Sequence, residues 1–168
     1  MPTPPGPPVE GVGDPTAVPD GTYQLINLSS GTALKISDAS ALDGSFIYGN
    51  PRNLTDQDLK LAAWAVAWDN TNGGYTFKNL ESGKYLTHAQ NWKQFQNTRT
   101  LFLSTTATYF VLQEGTLNST YQIWTLKGNN TDTTLELYIG DPDPTRPVII
   151  QPDSSKDNQQ WTFAVIKK

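Results

Sequence analysis

Three segments of the chain alternate apolar and polar residues in the same way. They are Tyr23-Gln24-Leu25-Ile26-Asn27-Leu28, Tyr75-Thr76-Phe77-Lys78-Asn79-Leu80 and Tyr121-Gln122-Ile123-Trp124-Thr125-Leu126. A period of two is that of a half-buried strand, so each segment predicts the first strand of a unit that recurs about every 50 residues. Turn formers follow each opening: Ser30-Gly31, Ser82-Gly83 and Lys127-Gly128-Asn129. Second strands are expected at Ala33 to Ile36, Tyr85 to His88 and Leu135 to Tyr138, and third strands at Phe46 to Tyr48, Leu101 to Leu103 and Val148 to Ile150. Fourth strands close the units at Trp64 to Val66, Phe110 to Leu112 and Trp161 to Phe163.

Four strands in three units make twelve. A lone four-stranded unit keeps exposed edges, whereas three units closed into one barrel remove them and bring three apolar stripes onto one axis. Three propeller blades are too few to close a ring of ordinary size. The expected fold is therefore all-β, a β-trefoil of three pseudo-symmetric repeats at about 20–70, 71–117 and 118–168. Asp56 to Trp68 also carries some helical periodicity, which predicts a short helix or 3₁₀ turn near Thr55 to Leu59 leading into the Trp64 strand. Residues 1–19 hold most of the prolines and few bulky apolar side chains. Such a segment buries too little surface to offset its ordering entropy, so it is expected to be a disordered tail outside the 20–168 domain.

Composition narrows the function classes. Charged residues are 17% of the chain, aromatics 11%, and the formal net charge is −4. A mildly acidic chain with no basic run argues against nucleic acid as the partner. With no cysteine there is no disulfide framework, no thiolate nucleophile and no Cys-containing zinc site. The most apolar run, Leu61 to Trp68, is too short to span a bilayer, and no signal peptide precedes the repeats; both predict a cytoplasmic protein without membrane insertion. Sequons at Asn27, Asn53, Asn118 and Asn129 matter only in a secreted protein. His88 is the single histidine, and no nucleophile elbow accompanies it. Asp141 and Asp143 sit in a proline-fixed loop without an acid–base division of labour. The chain is expected not to be an enzyme and to need no cofactor or metal.

The ending Asp157-Asn158-Gln159-Gln160-Trp161-Thr162-Phe163 resembles the Q-x-W signature of ricin-B-type lectins, and the architectural resemblance spans roughly residues 20–168. Cysteine-free chains of this kind resemble the fungal members of that superfamily, which include cytoplasmic lectins and the trefoil protease inhibitors called mycocypins. The resemblance implies a carbohydrate-binding lectin acting in defence, with glycans or glycoproteins as partners. The alternative it implies is an inhibitor that blocks a protease cleft with loops such as Ser37 to Ser45, Asn50 to Asp58 and Gly140 to Pro147.

A ricin-like sugar site places an acid in the second strand, an aromatic ring just after the third and Asn before Q-x-W. Unit one offers Lys35, Tyr48 and Leu-Ala-Ala before Trp64. Unit two offers Thr87, Ser104 and no amide. Unit three offers Glu136, with Asn158 and Gln159 ahead of Trp161. No unit carries the full set, and the third comes nearest. The candidate carbohydrate-binding residues are Glu136, Tyr138, Asp141, Asn158 and Gln159, with Tyr48, Asn50 and Trp92 as further contacts because their contexts suit stacking or hydrogen bonding. Trp64 and Trp161 recur at equivalent places and are expected in the core.

Overall fold

The computed structural model describes residues 17–36, 42–50, 56–87, 93–95, 98–114, 119–125, 133–137, 148–152 and 157–166. The first unit contains β1 (Gly21–Asn27), β2 (Ala33–Lys35), β3 (Tyr48–Asn50), the helix α1 (Asp56–Leu61) and β4 (Trp64–Asp69). The second contains β5 (Gly74–Asn79), β6 (Tyr85–Thr87), β7 (Lys93–Phe95), β8 (Thr98–Thr100), β9 (Phe102–Ser104) and β10 (Phe110–Glu114). The third contains β11 (Thr120–Thr125), β12 (Thr133–Leu137), β13 (Val148–Pro152), a 3₁₀ turn at Asp157–Gln159 and β14 (Trp161–Val165). The observed strands fit the twelve expected ones, with β3 at Tyr48–Asn50, two residues later than the expected Phe46 to Tyr48. The surplus pair, β7 and β8, is a hairpin inside the polar stretch after Thr87, and β8 pairs with β13 of the third unit.

Six strands close a barrel. β1 pairs β4, β4 pairs β5, β5 pairs β10, β10 pairs β11, β11 pairs β14 and β14 returns to β1. The register repeats with the units. Within each unit the opening tyrosine faces the closing aromatic: Tyr23 opposite Trp64, Tyr75 opposite Phe110 and Tyr121 opposite Trp161. Between units, Val66 faces Phe77, Leu112 faces Ile123 and Phe163 faces Leu25. Period-two alternation sends these residues inward, and Leu25, Phe77, Ile123, Trp64, Phe110 and Trp161 are all fully buried. Phe163 is partly buried and packs against the core, edge-on to Tyr23 at 5.8 Å and to Tyr121 at 5.6 Å. Such edge-to-face aromatic pairs add to simple burial. Outside the barrel each unit carries a two-stranded hairpin: β2 with β3, β6 with β9, and β12 with β13.

One corner recurs in units one and two. After β1, the Asn27 side-chain oxygen accepts the amides of Ser29 and Ser30, and Gly31 turns the chain at a positive φ. After β5, the Asn79 oxygen accepts the amides of Glu81 and Ser82, and Gly83 does the same. Each amide nitrogen then reaches a neighbouring closing segment. Asn27 donates to the Asn158 carbonyl at 2.9 Å, and Asn79 to the Leu61 carbonyl at 2.9 Å. These side chains are turn formers and rivets between units at once. Asn79→Ala strands buried donors and acceptors and is expected to cost about 1–3 kcal/mol, checked by chemical denaturation of the folded chain. The sequon at Asn27 is closed by the same geometry, because its side chain is 1% exposed and both its amide atoms are engaged.

The start of the described chain differs from the sequence reading. Ala17 to Pro19 belong to the segment expected as tail, yet they cross the open end of the barrel. Val18 is 3% exposed and joins the core cluster, with Ala17 packed against it. The Tyr23 hydroxyl donates to the Pro19 carbonyl at 2.7 Å, Tyr75 to Val18 at 2.9 Å and Tyr121 to Ala17 at 2.9 Å. Burial, the nearby Asp20 carboxylate and Tyr121 push the Tyr23 phenol above its ordinary value. A raised phenol pKa means the fold favours the neutral form, so this contribution is complete below pH about 10 and is lost as pH rises through the folded value. Stability is therefore expected to fall more steeply above pH about 10 in the parent than in Tyr23→Phe, measured by melts across alkaline pH.

Candidate functional site

The turn before β14 holds the residues that the sequence marks out. Asp157–Gln159 forms one 3₁₀ turn, closed by the Gln160 amide donating to the Asp157 carbonyl at 3.1 Å. From the first unit, Asn27 grips the Asn158 carbonyl and the Leu28 amide donates to the Gln160 carbonyl at 2.8 Å. Thr120 of β11 donates through its hydroxyl to the Gln160 side-chain oxygen at 3.4 Å. The turn lies against β12 and β1. It is thus held on several sides before any ligand arrives, the condition for precise polar recognition.

The candidates separate by position. Asn158 is half-buried in this turn, and its side-chain oxygen is turned inward, out of contact with solvent. Gln159 is 0% exposed, so a polar residue expected at the sugar is buried in this structure. Glu136 lies on β12, in register with Ile149 of β13, on the hairpin against which the turn packs. The fold therefore brings the Asn158 turn and the strand of Glu136 together. Tyr48 is half-buried on β3 opposite Lys35, and Asn50 ends the same strand opposite Ala33. That strand belongs to unit one, with β2 between it and β1. Tyr138, Asp141 and Trp92, like His88, lie outside the described residues.

Sequence reasoning missed Asn27 as the residue that fixes this turn. The signal was present in the recurrence of Asn-Leu-x-Ser-Gly at Asn27 to Gly31 and Asn79 to Gly83. Unit three has Thr125 at the equivalent place, which offers no amide donor. A separate apolar groove of about 300 Å³ is lined by Leu59, Lys60, Ala63, Leu80, Glu81 and Ile166. It has no aromatic ring on which a pyranose face can stack.

No family model and no curated protein sequence matches the chain. Solved structures do. The Rhizoctonia solani agglutinin superposes with a TM-score of 0.72 at 28% identity, covering 89% of this chain and 97% of its own. The Macrolepiota procera ricin B-like lectin, solved in complex with lactose, gives 0.71 at 22% identity, covering 89% and 99%. A proteinase inhibitor from Coprinopsis cinerea gives 0.62 at 13% identity, covering 89% and 99%. The closed six-stranded barrel, its three hairpins and these likenesses agree: the chain has the ricin-B-like β-trefoil fold.

Proposed function

We propose that the chain is a carbohydrate-binding lectin whose sugar site lies on the third unit, where the Asp157–Gln159 turn meets β12. The observation that carries this reading is the turn itself. Asn158 is half-buried in a turn whose backbone is gripped by Asn27 of another unit, and its neighbour Gln159 is fully buried, so the turn reaches the surface already fixed. A hydroxyl-rich ligand needs such fixed amide groups, since each hydrogen bond is worth only about 0.5–1.5 kcal/mol net and a mobile group spends that on its own ordering. Glu136 supplies the acid on the adjoining strand, Asp141 a second acceptor and Tyr138 the ring in this proposal. The agglutinin at 28% identity over nearly the whole of both chains supports the same reading.

The likeness to the Coprinopsis proteinase inhibitor is one of fold, at 13% identity. The test is a glycan array run beside a panel of proteases. Binding to a restricted set of glycans with no protease inhibited is the expected result. A chain that binds no glycan and inhibits a protease tightly overturns the lectin reading.

A further inference from the structure

The open end of the barrel has the features of a peptide site. Three tyrosines from three different units, Tyr23, Tyr75 and Tyr121, ring it, and each points its hydroxyl at a backbone carbonyl of three consecutive residues, Pro19, Val18 and Ala17. Tyr75 also accepts the Val18 amide at 3.1 Å, so one phenol satisfies both backbone groups of the central residue. The Val18 side chain enters the core, and Pro19 has no amide that needs a partner. This ring reads a bent backbone through its carbonyls and selects one branched aliphatic side chain. It sits at the opposite end of β1 from the Asn158 turn, so it is separate from the sugar site.

We propose that the tyrosine-ringed mouth is a binding site for a peptide of the class small residue, branched aliphatic residue, proline, occupied in the structure by the chain's own Ala17-Val18-Pro19. The covalent link at Asp20 makes the internal segment the permanent occupant by effective concentration. Once that link is cut, the same contacts are open to a peptide supplied from outside.

Asp20 and Gly21 are both exposed, so a site-specific protease sequence inserted between them lets the folded full chain be cut after purification. The probe is a fluorescent peptide spanning Asp14 to Asp20, followed by anisotropy. The cut chain is expected to take it up with a dissociation constant below about 1 mM. The Val18→Asp peptide should bind at least about tenfold more weakly, and Tyr75→Phe in the body should weaken the parent peptide several-fold. The uncut chain, its mouth occupied, should take up none. A cut chain that stays folded but binds neither peptide, or binds both equally, overturns the proposal. If cutting unfolds the chain, saturating parent peptide should restore the circular dichroism of the uncut protein, and failure to restore it also overturns the proposal.

Discussion

Trp161→Ala is expected to destabilise the domain by about 3–5 kcal/mol, the range for truncating a buried aromatic. Trp161 is 0% exposed and faces Tyr121 across β11 and Asn27 across β1, so it touches the first and third units at the seam where the barrel closes. The cavity left there cannot collapse easily, because both neighbouring strands are held in register by their other pairs. For a domain of this size the loss corresponds to a fall of about 10 °C or more in the melting temperature. Trp64→Ala should cost at least as much, since it also removes the indole donor to the Leu34 carbonyl at 3.0 Å. Val165→Ala is the control: its side chain is exposed on the same strand as Trp161, and its effect should stay within about 0.5 kcal/mol. Equal denaturant midpoints for Trp161→Ala and the parent would show that Trp161 is not core.

Deletion up to Pro19 is expected to cost about 1.5–3 kcal/mol, whereas deletion up to Thr16 leaves the melting temperature nearly unchanged. The larger truncation removes the buried Val18 side chain and the acceptors of three phenol hydroxyls. Four hydrogen bonds at about 0.5–1.5 kcal/mol each roughly offset an ordering cost of about 1–2 per residue for three residues, which leaves the burial of a valine, worth about 1.5–3 kcal/mol. That net corresponds to about 3–12 °C by thermal melting. Equal melting temperatures for the two truncations would contradict the assignment of Ala17 to Pro19 to the fold.

The strand pattern was legible because alternation is local. Tyr-x-Leu, Tyr-x-Phe and Tyr-x-Ile each announce a strand with one face inward, and the recurrence of the tyrosines foretells the register that places each against its closing aromatic. What was not legible depends on partners distant in sequence. Ala17-Val18-Pro19 looks like tail because of its prolines; its partners are Tyr75, 57 residues from Val18, and Tyr121, 104 residues from Ala17. Asn27 looks like an exposed turn residue or a sequon, and only the fold brings Asn158, 131 residues away, to its amide. Gln159 looks like a ligand group because it is polar, and the packing of the turn against β12 and β1 leaves it buried. The β7–β8 hairpin escaped notice because Lys93-Gln94-Phe95 and Thr98-Arg99-Thr100 are too short and too polar to show a period.

The third-unit site has a direct test in equilibrium titration of the parent and of a Glu136→Ala, Asn158→Ala double variant against a glycan selected by array. The hydrogen bond from Asn27 to the turn survives both substitutions, because it is accepted by the carbonyl of Asn158 and not by its side chain. The double variant should melt within a few degrees of the parent and bind at least about tenfold more weakly, the equivalent of about 1.4 kcal/mol or more. Unchanged affinity in a folded double variant would contradict the third-unit site and move the search to Tyr48, Asn50 and Trp92.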